Sequence, residues 1–195
     1  MEEKIRETFT ESIQTNIASA EALITEIESS TFAISQALIS GHKILACGTH
    51  STQHLAEHFA STLLNHFETE RPSLPAIALK KHLPAMPNYG EDVDTGLANQ
   101  VKALGNRGDI LLVISGDGQE KELIKAVETA LTNDMLIIAL SAGDGGELAG
   151  LLGPEDVEVR VPAKRYARIL ESQLLILHCI SELIDETLFP GQEVV

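Results

Sequence analysis

Basic residues are scarce in this chain. Lys and Arg number 14 against 29 Asp and Glu, a net charge of −15 over 195 residues, which excludes holding a nucleic-acid backbone or an anionic lipid surface by charge attraction. A protein partner with basic patches suits that charge. Cysteine is nearly absent as well. Cys47 and Cys179 each sit inside an apolar run (Ile44-Leu45-Ala46-Cys47 and Leu177-His178-Cys179-Ile180), the setting of buried free thiols in a reducing compartment and not of a disulfide framework. No apolar stretch is long enough to span a bilayer, and Met1-Glu2-Glu3-Lys4 lacks the basic and apolar regions of a secretion signal, so the cytoplasm is the expected location. No repeat, low-complexity tract or linker divides the chain, and its length suits one α/β domain over residues 1–195.

Gly and Pro are missing from Glu2 to Ser40, where Ile5, Phe9, Ile13, Ile17, Ala20, Ile24 and Ile27 recur at helical spacing. Residues 1–40 are expected to form a helical arm, as one long helix or two shorter ones. Part of its apolar seam is expected to serve as an oligomer interface, the alternative being packing within its own chain.

Residues 41–195 change pattern. Lys43 to Cys47, Pro75 to Leu79, Asp109 to Ile114, Met135 to Leu140 and Val157 to Val161 read as buried strands. Helical stretches from Thr52 to Phe67, Glu91 to Leu104 and Gln119 to Leu131 separate them, and Lys164 to Leu188 closes the chain. The alternation predicts a doubly wound, five-stranded parallel sheet flanked by helices, an α/β fold. Ligands of such sheets bind at the carboxyl ends of the strands. The turns there are Gly48-Thr49-His50-Ser51-Thr52, Ser115-Gly116-Asp117-Gly118-Gln119 and Ser141-Ala142-Gly143-Asp144-Gly145-Gly146, all rich in small residues.

With these turns in place the chain resembles the sugar isomerase (SIS) domain family nearly end to end. The resemblance rests on Lys43 to Gly48, His58-Phe59-Ala60, Arg71 to Leu79, Gly108 to Ser115 and Asp144 to Gly150. Within the family it is similar to the branch of phosphoheptose isomerase and the DnaA initiator-associating (DiaA-type) proteins. Phe9 to Thr15, Phe67 to Pro75 and Leu183 to Pro190 favour the initiator-associating side.

The resemblance implies a phosphosugar site in which hydroxyls and backbone N–H groups of the first two turns surround the phosphate, helped by a helix N-terminus. Ser51, Thr52 and Ser115 are what remains of that pocket. His50 replaces a family glycine that lets the backbone approach the ligand. In the second turn Gly116 and Glu120 replace hydroxyl positions, and Asp117 adds a further carboxylate. A like-charge contact at about 4 Å in an effective dielectric of ~20 costs on the order of 4 kcal/mol, against about 1 kcal/mol for one hydroxyl hydrogen bond. Phosphate binding is therefore expected to be weak or absent, unless both carboxylates point outward as helix caps.

The isomerase chemistry further implies a Glu and a His as acid/base partners. Thr62 falls at the Glu position and a hydroxyl cannot serve as that base, so His178 is left as a relic. A family Gln falls on Leu170, and the shortened segment Lys80 to Gly90 carries Pro84 and Pro87, which break a helix. Isomerase activity is expected to be lost. The family's zinc site maps to His58, Thr62, Leu170 and His178, so half the ligands remain. His50, His54 and His58 share one face if the helix begins early, which makes a His54, His58, His178 zinc site conceivable beside ordinary partly exposed histidines.

Function then falls to binding. The resemblance places Leu188 and Phe189 in the surface that contacts the replication initiator DnaA, with Phe189 as an exposed anchor or, alternatively, a staple of the helix end. It also implies a homotetramer, or at least a homodimer, that holds several initiator molecules at once. The expected role is a non-catalytic adaptor with no direct contact to DNA or membrane. The alternative is a phosphosugar isomerase or sugar-phosphate sensor with a degenerate site.

Overall fold

Helix α1 (Glu2–Ile39) runs unbroken for 38 residues, as the absence of Gly and Pro allows, so the single-helix alternative is the one formed. The computed structural model describes residues 1–68, 70–80 and 95–191. After α1 come β1 (Ile44–Gly48), α2 (Ser51–Leu64), β2 (Ala76–Ala78), α3 (Gly96–Leu104), β3 (Ile110–Ile114), α4 (Lys121–Thr132), β4 (Leu136–Ala142), α5 (Gly146–Leu151), β5 (Val157–Val161) and α6 (Tyr166–Leu188). The five strands form one parallel sheet in the order β2-β1-β3-β4-β5. Such an order reverses direction between β1 and β3, and that step is where a parallel sheet opens a ligand crevice.

Each expected strand is present, with its ends moved by at most two residues. β4 runs on to Ala142 because Ser141 and Ala142 pair with Arg160 and Val161 of β5. Helix α5 is additional to the expected elements, because six residues are too few to show a helical period. Residues 81–94, which hold Pro84, Pro87 and the start of the helix expected from Glu91, lie outside the described residues.

Alternation along the strands builds two apolar layers. Ile44, Ala46, Ile110, Leu112, Ile138 and Leu140 point to the layer that also takes Ile34, Phe59, Leu63, Ile176 and Ile180 from α1, α2 and α6. Leu45, Cys47, Leu111, Val113, Ile137 and Ala139 meet Val101, Leu123, Val127 and Leu148 from α3, α4 and α5 on the other face. Each fully buried Leu, Ile or Phe side chain contributes about 1.5–3 kcal/mol.

The N-terminal half of α1 docks by its polar side. Ser12 donates to Glu171 at 2.8 Å, Ser172 to Asn16 at 2.9 Å and Arg168 to the Thr8 carbonyl at 2.7 Å, and Arg165 pairs with Glu11. Ile5, Phe9, Ile13, Ile17 and Ile24 are left more than half exposed along an adjoining side. From Ile5 to Ile24 the seam is therefore left open in the single chain, whereas Ile27 packs against the core. Among the described residues, no helix is long and apolar enough to cross a membrane.

Candidate functional site

The turns after β1 and β3 lie side by side, because Gly48 pairs with Ile114 at the ends of those strands. In the first, the Thr52 hydroxyl donates to the Thr49 carbonyl at 2.8 Å and accepts the Thr49 N–H at 2.9 Å, closing the turn on itself. A Cβ on Gly48 would lie 2.5 Å from the Thr52 backbone, so only glycine fits there. His50 holds φ 50° and ψ −119°, a conformation suited to glycine, and sits outside α2 as its N-cap. It therefore does not share a helix face with His54 and His58. Ser51 is exposed and Thr52 buried, so these two hydroxyls do not converge on one point.

The second turn resolves the two carboxylates differently. Asp117 accepts the Gln119 N–H at 3.0 Å and caps its own loop. Glu120 does not point outward: its carboxylate turns back, accepting the Ser115 hydroxyl and the Gly116 N–H, the latter at 3.1 Å. Helix α4 is accordingly left without a side-chain cap. Ser115 is fully buried, and its Oγ also accepts the Gly118 N–H at 2.6 Å. Gln173, at the centre of the buried face of α6, donates to the Ser115 carbonyl at 2.7 Å. The resemblance puts a family glutamine at position 170, where this chain has Leu170, and Gln173 lies three residues further along α6. Leu170 is half-buried, and the available signal for Gln173 was a polar residue among Ile169, Ile176 and Ile180 on a core-facing stripe.

The structure does bring His58 and His178 together, 120 residues apart in sequence, with Nε2 atoms 2.8 Å apart and ring planes at 63°. Phe67 lies 5.1 Å from the His178 ring. Burial holds the His178 pKa below its ordinary value, the charge of His58 lowers it further, and Glu68 opposes both. His54 points away to solvent, with Nδ1 3.7 Å from Glu57. Thr62 donates to the Phe59 carbonyl at 2.8 Å and shares a 2.9 Å hydrogen bond with Ser181, so it offers neither a base nor a free ligand.

These residues do not fit zinc. Thr62 and Leu170 supply nothing to complete the set, and among the described residues no three His, Cys, Asp or Glu side chains are grouped to hold a metal ion. Cys47 adds no nucleophile, since burial pushes its thiol up to about 12. Cys179 is half-buried and not enclosed as expected.

At the end of α6, Leu188 and Phe189 are half-buried, which corrects the expectation of an exposed anchor. Leu188 rests against the core, and the Arg71 guanidinium lies 5.9 Å from the centre of the Phe189 ring. Arg71 itself is buried, with Nε 2.5 Å from Asp185 and further bonds to the carbonyls of Thr62 and Leu63.

Residues 8–142 match the SIS domain family. The chain belongs to that family. Among curated SIS relatives, DnaA initiator-associating protein DiaA of Erwinia tasmaniensis is 53% identical and that of Escherichia coli 52%, each over the whole of both chains. Among solved structures, a phosphoheptose isomerase from Francisella tularensis is 42% identical with a TM-score of 0.88, covering 94% of this chain and 97% of that one. Phosphoheptose isomerase GmhA from Neisseria gonorrhoeae is 34% identical with a TM-score of 0.87, covering 95% and 98%. The SIS fold therefore carries both kinds of protein, and the side chains of the site have to decide between them.

Proposed function

We propose that this SIS-domain chain is a non-catalytic adaptor that binds the replication initiator DnaA and promotes its assembly at the origin. The observation that carries the reading is identity of 52–53%, over the full length of both chains, to proteins named for association with that initiator. The eroded site supports it. Glu120 takes up the Ser115 hydroxyl, and Thr62 stands where an acid/base group would be needed.

Leu188 and Phe189 form the contact, as a half-buried platform braced by Arg71 and not as a projecting side chain. The molecule works as a homotetramer or homodimer joined through the apolar side of α1, which presents several copies of the platform and raises the effective concentration of bound initiator. The net charge of −15 leaves contact with DNA to the partner, and the site of action is the cytoplasm.

The test is equilibrium binding to purified DnaA by the wild type and by the double variant Leu188→Ala/Phe189→Ala, with light scattering to verify that both keep the same assembly state. Binding that falls tenfold or more, as expected for loss of a contact worth about 2 kcal/mol, supports the reading. A folded wild-type assembly that does not bind DnaA overturns it.

A further inference from the structure

A groove of about 790 Å³ opens between the second half of α1 and the first residues of β4 and β5, at the end of the sheet away from the turns after β1 and β3. Ala33, Leu136 and Val157 give it an apolar lining that is only partly buried. Phe32 also lines it and is 67% exposed. Glu28 and Phe32 stand at i and i+4 on α1, one turn apart on the same helix face.

The charge in the groove is of one sign. Glu26, Glu28, Glu155, Asp156 and Glu158 line it, and no Lys, Arg or His does. Glu158 is already engaged with Arg160 and Ser141, and Asp156 accepts the N–H groups of Ile137 and Gly153. Glu26, Glu28 and Glu155 have no ion-pair partner among the described residues, and Glu26 Oε2 is buried with no hydrogen-bond partner. A carboxylate oxygen shut off from water and left unpaired is costly, so the groove lacks the cation that would satisfy it.

We propose that this groove docks a basic segment of a partner protein, with an arginine laid on Phe32 and paired with Glu28, and with apolar side chains of the same segment on Ala33, Leu136 and Val157. Arginine suits the place because its planar guanidinium stacks on an aromatic face while its N–H fork pairs with a carboxylate. The net charge of −15 steers such a segment toward the chain. A small polycation would neutralise the carboxylates but has nothing to set on the apolar lining. The helical repeat turns Ser29 and Ala33 to a different side of α1 from Ile13 and Ile24, so the groove is distinct from the exposed apolar seam. No residue of the groove belongs to the Leu188 and Phe189 platform, so its occupancy is independent of the adaptor reading.

The probe is a capped, dye-labelled hexapeptide of alternating arginine and leucine, titrated by fluorescence anisotropy at about 0.15 M salt, where surface charges further apart than ~8 Å are screened. The wild type is expected to bind it saturably, one peptide per chain. Phe32→Ala and Glu28→Gln/Glu155→Gln are each expected to bind at least about tenfold more weakly. Glu3→Gln/Glu128→Gln removes the same charge from exposed positions outside the groove and is expected to bind as the wild type does. Replacing leucine by serine in the peptide is expected to weaken binding to the wild type about tenfold. Equal weakening by the two glutamine pairs would reduce the effect to general attraction between opposite charges and overturn the proposal. So would unsaturable binding, indifference to Phe32→Ala, or spermine displacing the peptide at the peptide's own concentration. A lower mass for Phe32→Ala in light scattering would assign the groove to a second copy of the chain and overturn it as well.

Discussion

His58 and His178 share one hydrogen bond, Nε2 to Nε2, at 2.8 Å. One ring must donate and the other accept, so this geometry admits at most one proton between the two nitrogens.

That restriction gives a pH dependence with a definite sign. His178 has a pKa held below its usual value, by burial first and by His58 second, so the unfolded chain takes up a proton at a higher pH than the folded one does. Stability from this group is complete above the unfolded value of about 6.5 and is lost as pH falls from there through the folded pKa. The melting temperature of His178→Phe is therefore expected to fall less than that of the wild type between pH 7.5 and 5.5. Parallel curves for the two proteins would show that the pair does not titrate in this way.

Arg71 and Asp185 form a second long-range pair, with side chains 0% and 5% exposed. Arg71→Ala leaves a buried carboxylate without its cation and is expected to cost about 3–5 kcal/mol in a denaturant melt. Arg71→Lys keeps the charge but loses the fork that reaches Asp185 and two carbonyls at once, so it is expected to recover only part of that. A cost below 1 kcal/mol for the alanine variant would contradict the burial described.

Gly118 and Gly143 separate backbone strain from lack of space. Both have positive φ, 74° and 66°, but a Cβ on Gly118 would lie 1.9 Å from the Gly145 carbonyl oxygen, whereas one on Gly143 meets nothing within 4 Å. Gly143→Ala is expected to cost about 1 kcal/mol from the left-handed conformation alone. Gly118→Ala is expected to cost about 2–3 kcal/mol more, because the turns after β3 and β4 must part. Equal costs in paired thermal melts would show that the two turns are not locked together.

The apolar side of α1 makes the last prediction. Phe9→Glu/Ile13→Glu changes two side chains that are 67% and 57% exposed in the single chain, so it leaves the fold intact and is expected to reduce the mass measured by light scattering. An unchanged mass would remove α1 from the interface.

The strands, their parallel order and the position of the ligand-facing turns follow from local pattern. Runs such as Ile110-Leu111-Leu112-Val113-Ile114 have only one way to bury both faces, and helices between them force parallel crossovers. That a hydroxyl at Thr62 and a carboxylate at Glu120 stand where the resemblance implies other groups was likewise legible, since both are matters of residue type. Tertiary structure alone decided where those side chains went. The sequence left Asp117 and Glu120 equivalent, and only the packed turn separates a carboxylate that caps its loop from one that turns back onto Ser115 and Gly116. Helical spacing set His54 beside His58 and the resemblance grouped both with His178; the packed helices join His58 to His178 alone and leave His54 in solvent. Spacing gave no reason to join Gln173 to Ser115 or Arg71 to Phe189. Period and composition specify which face of each element avoids water; hydrogen bonds between distant side chains depend on the relative placement of elements, which no local pattern encodes.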